Sequence, residues 1–184
     1  MGMPATAAKE WTAEMWEELP EDGNRYEIID GELFVTPAPR DPHQAVLGEL
    51  HLLIGNYLHE HRVARVLFSP ADIRIDSRNL VQPDLFITER HMRGWRSMTS
   101  LLLAVEVLSP NTARLDRVRK RPLYQRFNVP EYWIVDADAR VIERWRPADE
   151  RPEILERSIE WHPSADVPPL IIDLPELFKQ ALDE

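Results

Sequence analysis

The chain has 184 residues, a formal net charge of -10, 16 prolines and no cysteine. That length suits one domain with a real hydrophobic core, and the absence of cysteine excludes disulfides, thiolate zinc clusters and cysteine nucleophiles. The acidic balance works against a broad nucleic-acid footprint, which needs basic charge facing phosphates.

The cysteine-free composition fits a reducing cytoplasm. Met1-Gly2-Met3-Pro4-Ala5 lacks the basic-then-apolar order of a secretory leader. No apolar run approaches the ~20 residues of a membrane span, so a cytoplasmic protein is expected. The charge is uneven along the chain. Arg114, Arg117, Arg119, Lys120, Arg121 and Arg126 face Asp116 alone, whereas the acids gather at 10–22 and 149–160. A solvated helix face is the plainer explanation of such a basic run, ahead of a phosphate-facing one.

In chain order, Trp11 to Leu19 predicts a short amphipathic helix with Thr12 as N-cap and Pro20 as its stop. Tyr26 to Ile29, then Asp30-Gly31, then Glu32 to Val35 predicts a hairpin, because Asp-Gly supplies the positive φ values of a two-residue turn. From His43 to His61, Val46, Leu47, Leu50, Ile54, Tyr57 and Leu58 recur at helical spacing. His43 falls on that stripe, either as a buried, hydrogen-bonded histidine or as a group facing a site. His51, His59 and His61 share no face at ligand spacing, which argues against zinc.

Residues 65–68, 72–76, 81–87 and 101–108 read as four strands, with a loop carrying Met92, Trp95 and Met98 before the last. After Ser109-Pro110-Asn111-Thr112 a helix is expected to about Phe127, and residues 130–136 then form another strand. Strand, helix, strand implies a right-handed crossover and a parallel pair. Residues 141–146, 154–161 and 170–172 complete the strands, and 175–181 a closing helix. One domain over 1–184 is therefore expected: a helix and hairpin (1–42), a core (43–136) and peripheral strands with the closing helix (137–184).

Glu106 is the sole ionisable group in Leu101-Leu102-Leu103-Ala104-Val105-Glu106-Val107-Leu108, and an unpaired buried carboxylate would cost several kcal/mol or more. It needs a partner. Asp84 opens the neighbouring apolar segment in the same way, so two carboxylates from adjacent strands meet at one sheet edge, the outline of a metal site. On the next helix, Asp116 and Lys120 share the face of Leu123, Tyr124 and Phe127. They form either an ordinary i, i+4 ion pair, worth about 0.2 to 0.5 kcal/mol, or part of the site. Pro122 predicts a kink near Arg121 that would tilt Lys120.

The series Tyr26 to Leu33, Val81-Gln82-Pro83-Asp84, Val105-Glu106-Val107-Leu108-Ser109-Pro110, Asp116 with Lys120 and Tyr124, and Val129 to Asp136 resembles the Uma-two family of the restriction-endonuclease-like PD-(D/E)XK superfamily. The resemblance covers nearly the whole chain. It implies an α/β fold with a mixed central sheet flanked by helices, and a magnesium- or manganese-dependent endonuclease acting on nucleic acid, DNA in the first instance. Asp84, Glu106 and the Val107 carbonyl would hold the metal. Leu108 stands where the superfamily has a lysine, and Lys120 is the substitute. Glu32, His43, Gln82 and Asp116 are candidate site neighbours, and Arg114, Arg117 and Arg121 candidate phosphate contacts. A homodimer is compatible with cutting two strands. The alternative is a nuclease-fold module that binds nucleic acid or protein without cutting.

Overall fold

The computed structural model describes residues 9–37, 41–91 and 101–183. The Trp95 loop lies outside them. Twelve strands form among the described residues: β1 Arg25–Ile29, β2 Glu32–Thr36, β3 Ala64–Phe68, β4 Ile73–Asp76, β5 Asn79–Val81, β6 Leu85–Glu89, β7 Leu103–Val107, β8 Glu131–Asp136, β9 Val141–Trp145, β10 Glu153–Leu155, β11 Ser158–Trp161 and β12 Leu170–Asp173. The helices are α1, Asp41–His61, then α2, residues 113–126, and α3, Leu174–Leu182. A mixed six-stranded sheet in the order β10-β9-β8-β7-β6-β3 is the centre, beside a four-stranded sheet β2-β1-β5-β4 and the pair β11-β12.

The hairpin forms as its sequence predicts, with Asp30 at φ 53° and Gly31 at φ 80° in the turn. The stripe on α1 is buried from His43 through Leu58. The predicted helix at 11–19 is instead a single 3-10 turn, Met15–Glu18, without a side-chain cap. Two strands are also shorter than their apolar runs suggest. Residues 81–87 divide into β5 and β6, which belong to different sheets. Pro83, with no N–H to give a ladder, stands at the break. Residues 154–161 likewise divide, β10 pairing with β9 and β11 with β12.

Strand alternation divides the core into two layers. Leu103, Val105 and Val107 point toward α1 and α3, where Leu50, Ile54, Leu177 and Phe178 pack on them. The other face of β7 looks toward α2 and the smaller sheet, so that Ala104 packs with Leu123, Tyr124, Ile29 and Val81. Glu106 shares that second face by the same alternation. The strand pair β7-β8 is parallel, joined through α2 as the strand-helix-strand order predicts.

α2 is not a regular helix. Ala113–Leu115 is α-helical, Asp116–Lys120 makes one π turn closed by the Arg121 N–H donating to the Asp116 carbonyl, and Arg121–Arg126 is α-helical again. The irregularity expected near Arg121 therefore lies one turn earlier. Pro122 cannot donate to the carbonyl of Val118 and its ring would crowd that group; the wider turn before it relieves the conflict.

Candidate active site

The antiparallel register of β6 and β7 pairs Leu85 with Val105, and continuing it by one residue sets Asp84 opposite Glu106. Asp84 occupies the junction where the chain leaves the small sheet and enters the large one. Its backbone carbonyl accepts from the Ser69 N–H, and its Oδ2 accepts from the Val107 N–H at 2.9 Å. Arg25 Nη1 lies 2.8 Å from Oδ1, and His43 Nε2 2.9 Å from Oδ2. Both readings of His43 thus hold together: it is buried on the α1 stripe and it faces the site.

Glu106 finds its partner in Lys120, whose Nζ donates to Oε1 at 2.9 Å. The same ammonium lies 2.9 Å from Glu27 Oε1 and 3.5 Å from Asp116 Oδ1. Glu27, Asp84, Glu106, Asp116 and Lys120 are each 1 % exposed. The Asp116–Lys120 pair is therefore no solvated helix pair worth a few tenths of a kcal/mol but part of a desolvated charge cluster. Four carboxylates share it with two permanent cations, Lys120 and Arg25.

That imbalance governs proton affinity. Burial pushes Glu106 well above its ordinary value, Lys120 opposes this, and the nearby Asp84, Asp116 and Glu27 charges add to it. Burial likewise lifts Asp116 to about 6 against the pull of Lys120. Asp84 behaves oppositely. Burial would raise it, but the His43 hydrogen bond and the charges of Arg25 and His43 hold it well below the usual carboxylate range. For Lys120 burial acts downward, yet Glu106, Glu27 and Asp116 outweigh it and keep the ammonium charged.

A cavity of about 530 Å³ reaches the Asp84 side of this cluster, with Arg25, His43, Asp84, Ser109, Asn111 and Arg117 in its wall, while Glu106 and Lys120 lie behind it. Of the arginines read as phosphate contacts, Arg117 reaches this wall but is engaged by Glu143 and Asp136. Arg114 is exposed. Arg121 stacks on Trp145 and bonds to Gln125, away from the cavity wall. Glu32 is also apart from the cluster, paired with Arg119 at the surface. Gln82 acts through its backbone, whose N–H donates to Glu27 Oε1 at 2.8 Å, while its side chain bonds to Asp72.

Two groups escape sequence reasoning, Arg25 and Glu27. The signal for Glu27 is the one that singled out Glu106, a lone carboxylate in an apolar strand, here obscured by the half-polar hairpin around it. Arg25, at the first residue of β1, carries no such mark.

Among the described residues no three His, Asp or Glu side chains stand together in metal-holding geometry. The donor chemistry nevertheless fits a hard divalent cation. The cluster offers carboxylate oxygen, carries an excess of negative charge, and Asp84 and Glu106 face each other across one ladder. Magnesium is commonly held through one or two carboxylates, with water and phosphate completing its shell.

The family model described as "Uma2: Putative restriction endonuclease" matches residues 13–175. Among solved structures, a protein from Anabaena variabilis titled a "putative nuclease belonging to DUF820" superimposes with a TM-score of 0.77 at 19% identity, covering 93% of this chain and 99% of that one. The likeness shows a shared nuclease-type fold. No curated protein matches the chain.

Proposed function

We propose, from the premise that the chain belongs to the Uma2 family, that it is a magnesium- or manganese-dependent endonuclease hydrolysing phosphodiester bonds of nucleic acid, DNA first. The observation that carries this reading is the Lys120 ammonium 2.9 Å from Glu106, on the strand whose register sets Glu106 opposite Asp84.

Asp84 and Glu106, with the Val107 carbonyl, would hold the metal. When bound, it would supply Lewis-acid polarisation of the scissile phosphate. Lys120 places a fixed positive charge beside the reacting centre, where it offsets negative charge building on phosphorus and donates a hydrogen bond to the attacking water. The attacking water's oxygen bonds phosphorus as the P–O bond breaks, and the proton it loses passes to solvent water in the cavity. Arg25 and His43 hold Asp84 ionised and oriented. The cavity in front of Asp84 admits a phosphate without opening the core.

A second reading, a binding module of the same fold that does not cut, is favoured by one observation. The Lys120 charge is already shared among three carboxylates. Cleavage assays on duplex DNA, single-stranded DNA and RNA with native protein, K120A and E106Q separate the two readings. Magnesium-dependent cutting by the native chain alone is expected, together with calorimetric magnesium binding that D84A removes. Equal cutting by all three preparations, or magnesium binding indifferent to D84A, overturns the assignment.

A further inference from the structure

A second cavity, of about 510 Å³, lies at the opposite end of the central sheet, between the C-terminal turn of α1 and the edge strand β3. Arg62, Arg65, Arg90 and His59 line it, with Leu58 and Val66 as apolar wall. Its charge is one-sided. Nine of the described arginines have a carboxylate partner within ion-pair distance; Arg62, Arg65 and Arg90 have none among the described residues, nor do Arg114, Arg121, Arg151 and Arg157, but only Arg62, Arg65 and Arg90 gather on one cavity. Arg65 Nε is buried without a hydrogen-bond partner. Arg90 Nη1 donates to the Arg62 carbonyl at 3.2 Å, which ties two of the three to one another. Arg62 adopts φ 59° just after α1, and its N–H is spent on the Leu58 carbonyl.

Three guanidiniums converging on one cavity repel each other unless an anion joins them, and an acidic chain had acids to spare for pairing them. Guanidinium forks match carboxylate and phosphate alike through paired N–H donors, and no described carboxylate reaches these three. Position narrows the source. Along β6, Arg90 lies six residues beyond Asp84, ~20 Å in extended chain. Along α1, His59 lies sixteen residues beyond His43, ~24 Å by helical rise. The two paths agree on a separation spanned by about 6 base pairs of duplex at the ~3.4 Å rise per phosphate of one strand.

We infer that the Arg62–Arg65–Arg90 cavity is a phosphate site that grips the nucleic-acid backbone about 20 Å from the catalytic carboxylates. The inference rests on the nuclease reading of the Asp84–Glu106 site and adds a length requirement to it. A substrate too short to reach from one site to the other loses this grip.

The test compares native protein with R65Q/R90Q, and with R62Q/R90Q, in which both altered side chains are exposed, in case the half-buried Arg65 is needed for folding. KM and kcat are measured on hairpin duplexes of about 4 and about 30 base pairs, one shorter and one longer than the separation worked out above. The variants should raise KM on the long duplex and leave kcat on both substrates and KM on the short one unchanged. Two lost phosphate contacts lower the salt exponent by about 1.8, so raising salt from about 50 to about 200 mM should weaken native binding about tenfold more than variant binding. Native protein that cuts neither duplex overturns the nuclease reading and this one with it. Native protein that cuts both, with variants matching it in KM and salt dependence, overturns this inference alone. Inorganic phosphate that raises the melting temperature of native protein but not of R65Q/R90Q, with KM unchanged, would make the cavity a small-anion site and also overturn the backbone assignment.

Discussion

Replacing Lys120 by methionine keeps most of the side-chain volume and removes the one cation that Glu27, Glu106 and Asp116 share. Removing one partner of a buried ion pair costs about 3 to 5 kcal/mol, because the remaining charge is left desolvated and uncompensated. For a chain of this length each kcal/mol corresponds to about 2 to 4 °C, so K120M should melt about 6 to 20 °C below native at pH 8. The loss should depend on pH. Without the ammonium, Glu106 and Asp116 bind protons more tightly folded than unfolded, so the folded variant gains stability as pH falls toward their unfolded values near 4. Urea unfolding followed by tryptophan fluorescence at pH 5 and pH 8 measures the difference, and E106Q added to K120M should recover part of it. An equal loss at both pH values would mean that K120M disturbs packing and not charge. No loss at pH 8 would mean that the cluster does not depend on its lysine.

Replacing Asp116 should change stability in the opposite sense. Its folded value is about 6 against a reference of 3.8, so between those pH values the folded chain binds the proton more tightly and stability falls as pH rises. D116N removes that penalty. It should exceed native at pH 7.5 by up to about 3 kcal/mol, at 1.36 kcal/mol per pH unit, and converge with it near pH 4. A D116N chain less stable than native at pH 7.5 would contradict this. In the α1 layer, Leu50 is fully buried against the central sheet, and L50A should cost about 2 to 5 kcal/mol by denaturant unfolding with little change in magnesium binding. A cost under about 1 kcal/mol would mean that the layer repacks around the cavity.

The Asp-Gly turn, the α1 stripe and the parallel β7-β8 pair are legible because each rests on local chemistry: a turn needing positive φ, a 3.6-residue period, a strand-helix-strand order. Glu106 is legible for a different reason, since a lone carboxylate in a buried run announces a missing partner. What local reading cannot supply is which partner arrives. Glu27 comes from the other sheet through the β1-β5 pairing, and Arg25 reaches Asp84 across 59 positions of sequence. The break at Gln82-Pro83-Asp84 is written in the proline, yet the unbroken apolar run on either side hides it. The π turn has the same origin. Pro122 signals an irregularity, but whether the helix bends, breaks or widens depends on Tyr132, whose hydroxyl donates to the Asp116 carbonyl at 3.3 Å, and on the cost of exposing Lys120.

The seat of Asp84 between two sheets has a mechanical side. Its backbone belongs to the seam, its side chain is pinned by Arg25 from one sheet and by the Val107 amide from the other, so any splaying of the two layers pulls directly on that carboxylate. Ordering of the Asp84 carboxylate and cohesion of the two halves are thereby one degree of freedom. A perturbation that loosens the seam, however remote from the cavity, would be felt first as a blurred Asp84.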